Sequence, residues 1–160
     1  MNASTARRRL LLLIALFSFG AIAMALLSQY AFDMMPCAWC VLQRLIYLCI
    51  GVIALVAAYA PPPLAARVGG GLCAVLAACG VAAAWYQYSV AAKMLSCDQT
   101  FADRFITATG LDGALPSVFG IYATCMDAVV SLLGLEYAIW SLALFVVLFF
   151  MAVPTLRNRS

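Results

Sequence analysis

The chain has 160 residues, of which 68% are hydrophobic and 9% charged, with a formal net charge of +3 and a mean hydropathy of +1.08. No soluble domain of this length needs so much apolar surface, and the composition reads as an integral membrane protein. Histidine is absent, which removes the usual general base, the imidazole ligand of haem or zinc and the ordinary pH switch, and leaves seven cysteines as the most reactive inventory.

Residues Met1 to Arg9 are polar and end in Arg7-Arg8-Arg9. The uncharged run Leu10 to Leu27, about eighteen residues, is long enough to cross a bilayer. A signal peptide is the competing reading, but the run is long and no clear small-x-small cleavage site precedes Gln29. The spacing predicts helices over about 10–28, 41–60, 67–86 and 138–153. Loops at about 29–40 and 87–137 join them on one side, and Pro61-Pro62-Pro63 marks a tight connection on the other. The third helix is rich in small residues such as Gly69-Gly70-Gly71 and Gly80, which permit close helix approach in lipid, and ends in the interfacial aromatics Trp85, Tyr86 and Tyr88. Within the long loop, Phe101 to Ile106 reads as a short amphipathic helix at the membrane surface.

Charge sets the expected orientation. Arg7, Arg8, Arg9, Arg67, Arg157 and Arg159 fall on one side of a four-helix topology, while Lys93, Arg104 and all the acids fall on the other. The positive-inside rule puts both termini in the cytoplasm and both cysteine-bearing loops outside, where disulfides persist if that space is a bacterial periplasm. The expected fold is an all-α membrane protein: a four-transmembrane-helix bundle with a short first and a long second periplasmic loop.

Cys37 and Cys40 form a Cys-x-x-Cys pair followed four residues later by Arg44, where the second helix begins. With Cys40 in the first turn, Cys37, Cys40 and Arg44 fall at i, i+3 and i+7 and share one face. A helix N-terminus and a nearby guanidinium both favour a thiolate. Zinc would need two more ligands, and c-type haem would need a histidine where Val41 stands, so redox chemistry is what remains. Arg44 is a charge just inside a membrane helix and therefore a candidate functional residue, with snorkelling to headgroups as the bland alternative. Gln43 is placed to donate a hydrogen bond to a carbonyl-bearing ligand.

Cys97 and Cys125 lie in the long loop. A disulfide between them would close about 29 residues and stabilise by roughly 3–4 kcal/mol, which a staple alone would explain. Beside a Cys-x-x-Cys on the same membrane face, exchange between two pairs becomes the stronger reading. Cys49, Cys73 and Cys79 fall within the helices and read as small buried hydrophobes rather than an electron conduit.

These features together resemble the bacterial inner-membrane disulfide-bond formation protein B (DsbB) family over nearly the whole chain. The resemblance rests on Cys37-x-x-Cys40-x-x-x-Arg44, on Cys97 and Cys125 flanking Leu115-Pro116-Ser117-Val118-Phe119, and on Leu133-Gly134-Leu135-Glu136 followed by Trp140-Ser141-Leu142. Many members carry a proline where this chain has Ala138, and some place a histidine where it has Tyr88 or its neighbours. The resemblance implies a protein-dithiol:quinone oxidoreductase that reoxidises a periplasmic thioredoxin-like dithiol oxidase of the DsbA type and passes electrons to ubiquinone or menaquinone. It further implies that Cys97 is attacked by the partner's thiolate, that Cys125 exchanges with Cys37, and that Cys40, nearest Arg44, meets the quinone. A protein similar to vitamin K epoxide reductase would carry its Cys-x-x-Cys after the loop pair rather than before it. A non-enzymatic membrane protein with two structural disulfides is the alternative from a different class.

Overall fold

The computed structural model describes residues 3–60, 63–93, 99–129, 131–132 and 134–156. Pro61, Pro62, Cys97, Asp98, Leu133, Arg157 and Arg159, which entered the sequence reading, lie outside the described residues. Among the described residues, four helices are long and apolar enough to cross a membrane: α1 (Ala3–Ala31), α2 (Ala38–Tyr59), α3 (Pro63–Ser89) and, after the long loop, the last helix (Tyr137–Ala152). The loop carries three short helices, α4 (Phe101–Thr109), α5 (Leu111–Ala114) and α6 (Pro116–Phe119), which makes the last helix α7. A two-residue antiparallel pair, β1 (Ser131–Leu132) and β2 (Leu135–Glu136), precedes α7 and turns at Gly134, whose positive φ of 82° suits a glycine.

α1 and α3 run beyond the expected stretch at both ends, while α2 and α7 begin earlier than expected and end one residue short of it. α1 takes in Arg7 to Arg9, because arginine is a good helix former and backbone hydrogen bonding does not stop where hydrocarbon does. α2 ends at Tyr59, with Ala60 already extended (ψ 131°), as expected of a residue before a proline. α3 begins at Pro63, a tolerated first-turn position, and continues through Gln87 to Ser89. Gln87 is therefore helical rather than the start of a loop.

α1 packs on α2, α2 on α3 and α3 on α7, while α1 and α7 meet far less. Arg8 lies 4.8 Å from the ring centre of Tyr59, and Gly70 faces Thr155 after α7, so these ends gather on one side of the bundle. The core runs through Leu11, Ile14, Ile50, Ala77, Phe145 and Leu148. Tyr47 stacks on Phe145 with ring centres 4.1 Å apart, and its hydroxyl donates to the Ser141 carbonyl oxygen at 3.1 Å.

In α4, Thr100 caps the N-terminus in a capping box with Asp103, and Gly110 ends the helix at φ 69°. Its Ala102 and Ile106 are buried in a second cluster with Cys37, Val41 and Phe119, whereas Phe101 and Phe105 stack on each other and stay exposed.

At Gly80, α3 leaves no room toward α7, since a Cβ there would run into the ring of fully buried Phe145. Gly80→Val should cost about 1–3 kcal/mol by overpacking, seen as a lowered unfolding temperature in detergent. Gly20→Ala, where an added Cβ meets nothing within 4 Å, should leave that temperature unchanged.

Candidate functional site

At the end of the bundle opposite Arg8 and Thr155, Cys37 forms the N-cap of α2 with an extended backbone (φ −87°, ψ 171°). Its carbonyl accepts the Val41 N–H at 3.0 Å, and Cys40 sits in the first turn. The Cys37 side chain is wholly buried, with its sulfur 3.3 Å from Cys40 Sγ and 2.8 Å from Cys125 Sγ, the Cys125 thiol donating to Cys37. One sulfur of the Cys-x-x-Cys thus touches both its own mate and a sulfur from the long loop, and all three are free cysteines. The Cys125 sulfur and burial push the Cys37 thiol up to about 12, against a smaller opposing effect of Cys40. These surroundings favour the thiol at Cys37, against the pull of the helix N-terminus toward a thiolate.

Arg44 is buried at 5% exposure, and three of its five guanidinium hydrogens are donated to protein oxygens. Nη1 donates to Gln29 Oε1 at 2.7 Å and to the Val118 carbonyl at 2.9 Å, and Nη2 donates to the Ala25 carbonyl at 3.3 Å. It does not snorkel; it ties α1, α2 and the long loop together. The same loop is held by the Tyr30 hydroxyl donating to Ser117 O at 2.7 Å, and by Tyr122 N–H and Ala123 N–H donating to Pro36 O at 3.0 and 3.3 Å. These bonds bring Cys125 over the start of α2.

Gln43 directs its amide nitrogen to Gln87 Oε1 at 2.6 Å, and Gln87 in turn donates from Nε2 to Cys40 Sγ at 3.2 Å and, more distantly, to Cys37 Sγ at 3.9 Å. Gln29 and Gln87 are the polar residues that sequence reasoning missed. The available signal was that Gln29, Gln43 and Gln87 each interrupt an apolar run near the same end of the bundle.

A cleft of about 600 Å³ opens beside these residues, between α1 and α7 and over α2. Its walls are largely apolar (Leu16, Phe17, Met24, Leu144), and its floor carries Cys40, Gln43, Arg44 and Gln87, with Tyr137 and Ser28 alongside. Leu16, Phe17, Met24 and Trp140 on its rim are exposed on the outer face of the bundle. Cys125 also borders the cleft, so the loop cysteine and the helix cysteine share one space. No group of residues with metal-ligand chemistry is found among the described residues.

Residues 7–154 match the family model described as "Disulfide bond formation protein DsbB". The chain belongs to the DsbB family. Relatives named disulfide bond formation protein B include one from Cupriavidus necator, 34% identical over 96% of this chain and 95% of its own length. One from Herminiimonas arsenicoxydans is 31% identical over 96% of this chain and 98% of its own length. Another, disulfide bond formation protein B 1 of Pseudomonas putida, is 34% identical over 91% of this chain and 90% of its own length. At the cysteine end of α3, the side chain that meets the dithiol is the Gln87 amide.

In the fully reduced DsbB-family chain, Cys37 should resist alkylation at neutral pH. With a thiol pushed up to about 12, only about one molecule in ten thousand is ionised there at pH 8, against roughly a quarter for an ordinary cysteine. Its rate, read by peptide mass mapping, should still be climbing at pH 10; a plateau below pH 9 would contradict the Cys37–Cys125 contact.

Proposed function

We propose that this chain is a disulfide-generating oxidoreductase of the bacterial inner membrane, with both termini cytoplasmic and its cysteine end in the periplasm. It reoxidises a thioredoxin-like dithiol oxidase of the DsbA type and passes the electrons to ubiquinone or menaquinone. The observation that carries this reading is the Cys37 sulfur in contact with both Cys40 and Cys125 at the floor of an apolar cleft. Thiol–disulfide exchange needs an attacking sulfur against a disulfide sulfur, and Cys37 meets a candidate on either side.

The electrons balance as follows. A partner thiolate attacks Cys97 of a Cys97–Cys125 disulfide, and the partner's second thiolate resolves the mixed disulfide, leaving the partner oxidised and Cys97 and Cys125 reduced. Cys125 then attacks Cys37 of a Cys37–Cys40 disulfide and releases Cys40 as thiolate. Cys97 recovers Cys125 from Cys37, so that Cys37 and Cys40 hold the two electrons. Each exchange conserves the number of disulfides.

The cleft suits a quinone in both volume and donor set. Its apolar walls and outward-facing rim fit an isoprenoid tail, and its floor offers amide, guanidinium and hydroxyl hydrogens to ring carbonyls. A bound quinone would supply the oxidation, taking two electrons and two protons from the Cys37–Cys40 dithiol. Cys40 borders the cleft while Cys37 faces Cys125, which divides the pair into a membrane-side and a loop-side sulfur. Arg44 places positive charge beside Cys40 and holds the floor together, the electrostatic support that a developing anion needs.

Mixing the purified protein with quinone and a reduced thioredoxin-like dithiol protein should bleach the quinone absorbance. Cys40→Ser and Cys97→Ser should each abolish the change. No quinone reduction by the unmodified protein, across quinones and dithiol partners, would favour stapled loops and a non-enzymatic role. Arg44→Ala should weaken apparent quinone affinity by about tenfold or more, as expected for loss of a buried charged donor, with a smaller effect on partner binding. Unchanged quinone affinity would remove Arg44 from the site.

A further inference from the structure

Gln87 is a buried amide near the end of a membrane-spanning helix, and its orientation is fixed from behind. Because Gln43 Nε2 donates to Gln87 Oε1 at 2.6 Å, the Gln87 Nε2 hydrogens must face the other way, toward the two sulfurs. They meet Cys40 at 3.2 Å and Cys37 at 3.9 Å. A hydrogen bond to an ionised sulfur is stronger than one to a neutral thiol, so the closer sulfur gains most by ionising. Cys37 receives its hydrogen mainly from the Cys125 thiol, a weaker donor than an amide N–H, and is shut off from solvent, so it gains less by ionising.

We propose that the Gln43–Gln87 amide pair decides which sulfur of the dithiol carries the negative charge, placing it on Cys40, which borders the cleft, and leaving Cys37 neutral opposite Cys125. Gln87 touches the reacting sulfur; Gln43 is a positioning residue that acts through it. The assignment rests on the reading of Cys37 and Cys40 as a redox pair. A carboxamide has no titration near neutrality, so this bias is constant with pH, where an imidazole at the same place would make it switch.

The test uses the full-length reduced protein in detergent, free of quinone and without a partner, with initial alkylation rates at each cysteine read by peptide mass mapping. Gln87→Leu should slow Cys40 by about tenfold, the weight of one hydrogen bond to a charged group, and leave Cys37 unchanged. Gln43→Ala should slow Cys40 by a smaller factor. Gln87→His should raise the Cys40 rate relative to the parent as pH falls through about 6.5, because an imidazolium then faces the sulfur. An unaltered Cys40-to-Cys37 ratio in Gln87→Leu, or a Gln87→His-to-parent ratio at Cys40 that stays flat with pH, would overturn the proposal. Should Gln87→Leu fail to fold, the histidine variant decides alone, since it keeps a polar donor. Failure of quinone reduction would sink the functional reading while leaving these rates intact, so the two can fail separately.

Discussion

A guanidinium removed from water must be given acceptors, and that requirement at Arg44 organises the cysteine end of the molecule. The acceptors come from three places that the chain order keeps apart: a side chain and a carbonyl of α1, and a carbonyl of the long loop. Losing any one would leave part of a buried charge uncompensated, which is far costlier than losing an exposed ion pair. The loop is therefore docked by electrostatics as well as by the buried patch of Cys37, Ile106 and Phe119. The position of Cys125 follows from that docking.

The same constraint separates two tasks at the cysteine end. The sequence puts Arg44 on the face of Cys40, where a nearby guanidinium favours the thiolate. In the structure its hydrogen bonds to Gln29, Val118 and Ala25 go to oxygens, while the hydrogen donated to Cys40 comes from Gln87. The cation contributes a field and a scaffold, and the neutral amide contributes the directed contact. A field acts on every sulfur nearby, whereas a hydrogen bond distinguishes sulfurs less than an ångström apart in distance.

The four spans were legible because long apolar runs bounded by arginines and prolines have few other solutions. The Cys37–Cys40 turn was legible because Pro36 and the apolar run after Cys40 mark a helix start. What was hidden is of two kinds. The carbonyls of Val118, Ala25 and Pro36 do their work through the backbone, which no side-chain alphabet reports. Gln29 was assigned to a loop because the apolar run ends at Leu27, and Gln87 because interfacial aromatics normally mark the end of a span, yet α1 continues to Ala31 and α3 to Ser89. Gln43 was read as facing a ligand, and it does border the cleft, but one amide hydrogen is committed to Gln87.

The cleft between α1 and α7 is rimmed by side chains exposed on the bundle's outer face, so its mouth is turned to hydrocarbon. A mouth of that kind selects by phase before it selects by shape. Solutes that partition into lipid arrive by a two-dimensional search and at the high local concentration of the bilayer, while water-soluble oxidants of similar size are kept out at no cost in specific contacts. Occupancy then follows the mole fraction of ligand in the surrounding lipid rather than its amount per volume of buffer. Transferring the protein from membrane to detergent micelle would dilute the ligand without altering a single side chain of the site.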